Sequence, residues 1–87
     1  MKRWTQIFKA LANVNRLKII TLLAGSKPMH VTDIAAELGI SLKATSKHLI
    51  LLHNLDVLVA KGEKGHIYYS LNSAMPKDLR NAVQLFK

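Results

Sequence analysis

The stretch VTDIAAELGISLKATSKHLILLHNL, residues 31–55, constrains this chain more than any other. Ile34, Ala35 and Leu38 give its first part an apolar inner stripe. Leu42, Thr45, Leu49, Leu52 and Leu55 give the second part a longer one, at helical spacings of three and four. Thr32 is suited to cap the first helix, and Asp33 lies in its first turn, where the helix dipole favours negative charge. Only Gly39-Ile40 separate that helix from Ser41, the next candidate cap. Two helices joined through a glycine-containing turn of about three residues form a helix-turn-helix.

In such a unit the first helix, here 33–38, braces the second, here 42–54, and the second enters the major groove of DNA. At about 100° per residue, Thr45, Leu49 and Leu52 face inward while Lys43, Ser46, Lys47, Ile50 and Asn54 face outward. Lysines neutralise phosphates or reach guanine O6 and N7, and Ser41, Ser46 or Asn54 can bond base edges or phosphates. An outward Ile50 can touch a thymine methyl. His48 flanks the core on the helical wheel and is the least direct of the candidates. The competing reading is a solvated helix face that is basic by accident.

On either side the pattern continues. Trp4, Ile7, Phe8 and Leu11 follow i, i+3, i+4, i+7, predicting a helix over about 3–12. Asn13 and Asn15 offer a break and a cap, then Leu17, Ile20, Leu22, Leu23 and Ala24 line a second helix closed by Gly25. Met29-His30-Val31 reads as an extended lead-in only. After Leu55 the period changes: residues 57–60 and 66–71 read as two strands, and the segment 61–65 as a glycine-bracketed turn. Lys61, Lys64 and His66 surround that turn as candidate contacts to flanking DNA, or as charges that keep an exposed edge from aggregating. Met75, Leu79, Ala82, Val83 and Phe86 then predict a last helix over about 75–86, with Pro76 in its first turn. The order is α-α-α-α-β-β-α, a mainly helical fold with a small β-hairpin, expected to form a single domain over residues 1–87.

Charge supports a polyanionic partner. Thirteen Lys plus Arg against five Asp plus Glu leave a formal net charge of +8 in 87 residues, which favours nucleic acid before anionic membrane. The chain has no cysteine, so disulfides and thiolate chemistry are excluded, in keeping with a reducing interior. MKRWTQIF lacks the apolar run of a signal peptide, and LILL at 49–52 stops at His53, far short of a membrane span. A soluble, cytoplasmic, nucleoid-associated protein without a membrane partner is expected. The acids are spread singly and no Ser–His–acid or phosphate-loop pattern occurs, so no enzyme and no cofactor are expected. His30, His48, His53 and His66 show no i, i+4 pairing, and His48 and His53 lie about 140° apart around a helix; no metal site is expected.

The runs IFKALANVNRLKIITLLAG, VTDIAAELGISLKATSKHLILL and VLVAKGEKGHIYYSL together resemble the ArsR/SmtB family of winged helix-turn-helix repressors. The resemblance covers roughly residues 5–72. It implies a homodimer on an operator with two-fold symmetry, with first and last helices at the subunit interface and an effector that alters DNA affinity. It also implies where metals bind in sensing members, but the matching positions here read His30-Val31-Thr32 in place of a cysteine pair. The last helix carries no histidine. Leu42 and Ala44 stand where polar residues are common in the family, and Ile50 where a basic one is.

Trp4, Ile7, Phe8 and Leu11, with Leu79, Val83 and Phe86, form apolar stripes at opposite ends of the chain. A chain this short has little core to cover, so these stripes are expected to hold a homodimer together. The reading is therefore a dimeric, sequence-specific DNA-binding transcriptional repressor. Two alternatives stand beside it: a winged-helix protein-interaction module of transcription or replication machinery, and an architectural DNA binder without a ligand.

Overall fold

A computed structural model describes residues Lys2–Gln84. Its elements are α1 (Lys2–Leu11), α2 (Val14–Ala24), β1 (Met29–His30), α3 (Val31–Leu38), α4 (Leu42–Asn54), β2 (Leu58–Glu63), β3 (His66–Leu71) and α5 (Lys77–Gln84). The helix and hairpin order follows the sequence expectation. The strand Met29–His30 does not: the lead-in joins the sheet, pairing antiparallel with β3 through Met29↔Tyr69 and His30↔Tyr68. The sheet order is β1-β3-β2, so the hairpin is anchored to the segment that starts α3.

α2, α3 and α4 each begin where a side chain takes a free backbone N–H. Asn13 Oδ1 accepts from Arg16 N at 3.1 Å to start α2, and Ser41 Oγ accepts from Ala44 N at 3.1 Å to start α4. Thr32 is not the cap of α3. His30 is, its Nδ1 accepting from Thr32 N at 3.3 Å. The helix starts at Val31 because β1 has already fixed His30 in an extended conformation.

α4 ends in a Schellman pattern, with Asp56 N donating to His53 O and Val57 N donating to Leu52 O, both at 3.0 Å. Asp56 takes the left-handed position that glycine usually fills, with φ 65. Asn72 Nδ2 donates to the Asp56 carbonyl at 3.0 Å and holds this turn from the far side of the hairpin.

One core gathers Ile7 of α1, Ile19, Ile20 and Leu23 of α2, Ile34 of α3, Leu49 and Leu52 of α4, and Leu79 and Val83 of α5. Val57, Leu58 and Met75 close it from the connections and the sheet. Terminal helices thus supply much of the core. This corrects the expectation for Ile7, Leu79 and Val83, which are at most 1% exposed within the subunit and offer no surface to a second copy. Phe86 lies outside the described residues. The exposed members of the two stripes are Trp4 and Phe8, stacked with ring centroids 5.6 Å apart; Leu11 is half-buried.

Candidate nucleic-acid interface

The turn between α3 and α4 sets the presentation of α4. Gly39 sits at φ 69, left-handed, and its N–H donates to Ala35 O at 2.8 Å. That conformation closes α3 without strain only because the residue lacks a Cβ. Two residues later the Ser41 cap opens α4. Thr45, the one polar side chain fully buried among the described residues, donates from Oγ1 to Ser41 O at 2.8 Å and so enters the core satisfied. Thr45, Leu49 and Leu52 are all 0% exposed and fix the rotation of the helix.

That rotation turns Lys43, Lys47, Ile50 and Asn54 to solvent, with Ser46 half-buried beside them. The face carries cations, hydrogen-bonding groups and one central apolar side chain, and α4 contains no acid. Ser41 stands at the helix N-terminus, where its hydroxyl is engaged as a cap and the free amides of the first turn favour an anion such as phosphate. Leu42 departs from its sequence assignment. It is 52% exposed, because at the first helical position the next turn of core does not reach it.

His48 is brought to the core edge, away from the exposed cationic side of α4. Arg16 Nη1 donates to its Nδ1 at 3.2 Å. A guanidinium has only donors, so Nδ1 is the acceptor and the ring proton sits on Nε2. Burial first, and the Arg16 charge second, hold the imidazole below its ordinary value. His48 is therefore a neutral bracket between α2 and α4. Arg16 itself is a residue that sequence reasoning missed: it also donates from Nε to Ala10 O at 2.6 Å and from Nη2 to Lys9 O at 3.3 Å, satisfying the end of α1. No local pattern announces it, since its imidazole partner lies 32 positions away.

The wing differs in detail from the sequence expectation. Lys61, Gly62 and Glu63 belong to β2, and the turn is only Lys64-Gly65. Both turn residues have positive φ, 51 and 81, the signature of a two-residue type I′ hairpin. Lys61, Lys64 and His66 are all exposed. Lys64 projects from the tip, and Lys61 lies opposite Tyr68 in the ladder. His66 is turned toward the brace helix: its Nδ1 meets His30 Nε2 at 3.2 Å, the rings edge to face. Since His30 Nδ1 accepts from Thr32 N, His30 Nε2 carries the proton and donates to His66. Two histidines that the sequence keeps 36 positions apart thus tie the wing to the start of α3. Among the described residues no group of three or more metal-ligating side chains converges, and no helix is long and apolar enough to cross a membrane.

Comparison with known proteins matches residues 13–59 to the family described as bacterial regulatory protein, arsR family. The transcriptional repressor SdpR of Bacillus subtilis is 37% identical over 75 residues, covering 86% of this chain and 82% of SdpR. The arsenical resistance operon repressor of Escherichia coli is 32% identical over 71 residues, covering 82% of this chain and 61% of that protein. Among solved structures, a homodimeric winged helix-turn-helix DNA-binding domain from Mycobacterium bovis superposes with a TM-score of 0.79 at 30% identity, covering 97% of this chain and 74% of that one. The transcriptional repressor PagR of Bacillus anthracis gives 0.76 at 27% identity, covering 99% and 94%.

Proposed function

This chain belongs to the arsR family of bacterial regulatory proteins, and from that premise we propose how a DNA-binding transcriptional regulator of this sequence engages its operator. α4 lies in the major groove with Lys43, Ser46, Lys47, Ile50 and Asn54 toward the bases and phosphates. The wing, through Lys61 and Lys64, contacts the flanking backbone. His66 serves the wing by holding it to His30, and His48 acts from behind α4. Two copies joined through the exposed Trp4 and Phe8 read a two-fold symmetric site, and occupancy of that site represses transcription.

The observation that carries this reading is the split of α4 into a fully buried side, Thr45, Leu49 and Leu52, and an exposed cationic side with no acid. Burial on one side fixes what the other presents. The homodimeric Mycobacterium bovis domain and the repressor names of SdpR and PagR support the dimer and the direction of regulation. Base readout rests on few side chains, so phosphate contact and DNA shape carry a large share of the affinity.

The test is a titration of operator DNA at several salt concentrations with wild type and with Lys43→Ala plus Lys47→Ala. Each lost phosphate contact should lower the salt slope by about 1 per subunit, and a lost base contact should cost ~1–3 kcal/mol on the operator alone. Unchanged affinity in the double variant would remove α4 from the groove. The exposed Leu42, Ile50 and Leu51 would then favour docking to a protein, whose affinity does not fall steeply with salt.

A further inference from the structure

A cleft of about 760 Å³ opens between α1, the start of α2 and one flank of α4. Ile50, Leu51 and Leu55 form its apolar wall, while Lys9, Arg16 and Lys47 bring three cations to it. None of its lining residues is acidic. Arg16 donates only to neutral acceptors there, two carbonyls and the His48 ring. The acids of the described chain lie elsewhere: the ion pair found among the described residues joins Arg3 to Asp78, at 2.8 Å. A concave site with an apolar wall and unbalanced positive charge fits a ligand that has both an apolar body and an anionic end.

We propose that this cleft binds a small amphipathic anion, an apolar chain or ring ending in a carboxylate, and that the occupied cleft opposes operator binding. The apolar body lies along Leu51 and Leu55, and the carboxylate meets Lys9 and Lys47, with Arg16 behind them. A phosphate backbone does not fit as well, since it has nothing apolar to cover Leu51 and Leu55. A second copy of the chain does not fill the cleft either. Lys9 lies about 100–140° around α1 from Phe8 and Trp4, so a dimer built on those rings leaves the cleft open.

Lys47 and Ile50 belong both to this cleft and to the groove-facing side of α4. A ligand held by them blocks the same atoms that DNA uses, and by linkage DNA weakens the ligand to the same degree. This coupling rests on α4 being the groove helix; binding to the cleft does not, and the two are measured separately.

The first measurement uses isotope-labelled whole chain without DNA, titrated with sodium octanoate. Octan-1-ol is the neutral control and inorganic phosphate the charge-only control. Octanoate should shift the amide signals of Lys9, Lys47 and Leu51 saturably. Octan-1-ol should bind roughly tenfold more weakly, the worth of one charge-assisted contact, and phosphate at least as weakly, for want of an apolar body. Lys9→Glu should lose the same roughly tenfold in octanoate affinity with an unchanged melting temperature; Leu51→Asn tests the apolar wall in the same way. Unmoved cleft signals, equal binding of phosphate, or a Lys9→Glu chain that binds octanoate like wild type would each overturn the site. Octanoate at about ten times its Kd should then weaken operator binding by roughly tenfold. Octanoate binding with unaltered operator affinity would overturn the coupling, and a chain that takes octanoate but no DNA would refute the groove reading and leave the site standing.

Discussion

At the residue scale, the hydrogen-bond partners of His48 decide its part in the protein. Its place in the sequence, inside SKHLILL, suggests a base contact, and the wheel puts it near the core. Burial first, and the contact with Arg16 second, keep the ring neutral. That contact is not legible in the sequence, because partner choice between distant positions depends on how α2 crosses α4. The same limit hides His30 as the cap of α3: Thr32 has the better intrinsic capping chemistry, and strand pairing overrides it. What is legible is the buried side of α4, since Thr45, Leu49 and Leu52 recur at helical spacing. The His48 environment predicts a pH dependence with a definite sign. Its folded value lies below the ordinary 6.5, so the unfolded chain binds more protons in the window just below 6.5, and stability falls as pH drops through it. Asp78 acts in the same direction further into acid, its carboxyl lowered first by the Arg3 hydrogen bond. Urea unfolding at pH 7.5 and 5.5 should show the loss. His48→Asn keeps an acceptor for Arg16 and cannot titrate, so it should reduce the difference; an unchanged difference would mean that another group carries it.

At the element scale, α3, α4 and the hairpin are legible because each repeats its period over enough residues to stand out. β1 is not, since a strand of two residues has no period. The sequence also suggests a wider hairpin turn than the chain makes, because two glycines, Gly62 and Gly65, read as the ends of a loop. Only Lys64-Gly65 lie off the ladder, and Gly62 pairs with Ile67. The tight turn makes the wing sensitive to one backbone position. Gly65 sits at φ 81, and a Cβ added there would meet no heavy atom within 4 Å, so Gly65→Ala should cost about 1 kcal/mol through conformation alone. Lys64→Asn, at φ 51, suits a type I′ turn better than lysine and should stabilise the hairpin by a few tenths of a kcal/mol, on the order of other turn adjustments. Because it also removes the tip charge, it separates two roles of Lys64. A wing that touches DNA should lose affinity in Lys64→Asn while its melting temperature holds or rises. The Ser41→Ala variant tests the other end of the reading unit, and should cost about 1 kcal/mol in unfolding free energy for the lost cap.

At the scale of the whole molecule, the element order and the shared core are legible, while the division of labour in the terminal helices is not. The apolar stripes of α1 and α5 look surplus if α2, α3 and α4 are assumed to fill a core by themselves. They are too few. Ile7, Leu79 and Val83 are drawn in to close it, and α1 then turns Phe8, about 100° further round the helix, to the outside. Phe8 is 57% exposed and Trp4 38%, stacked on each other, which leaves an aromatic pair for which the subunit has no use. This sorts two substitutions that look alike in the sequence. Ile7→Glu buries an unpaired charge and should unfold the chain, at several kcal/mol. Phe8→Glu places its charge at the surface of the subunit, so circular dichroism should report native helix content. Sedimentation at tens of micromolar should show wild type as a dimer and Phe8→Glu as a folded monomer. On DNA, the monomer should bind a single half-site as wild type does and lose the extra affinity that a two-fold site gives to two linked copies. A wild type that sediments as a monomer, or a Phe8→Glu chain that remains dimeric, would move the subunit contact away from this aromatic pair.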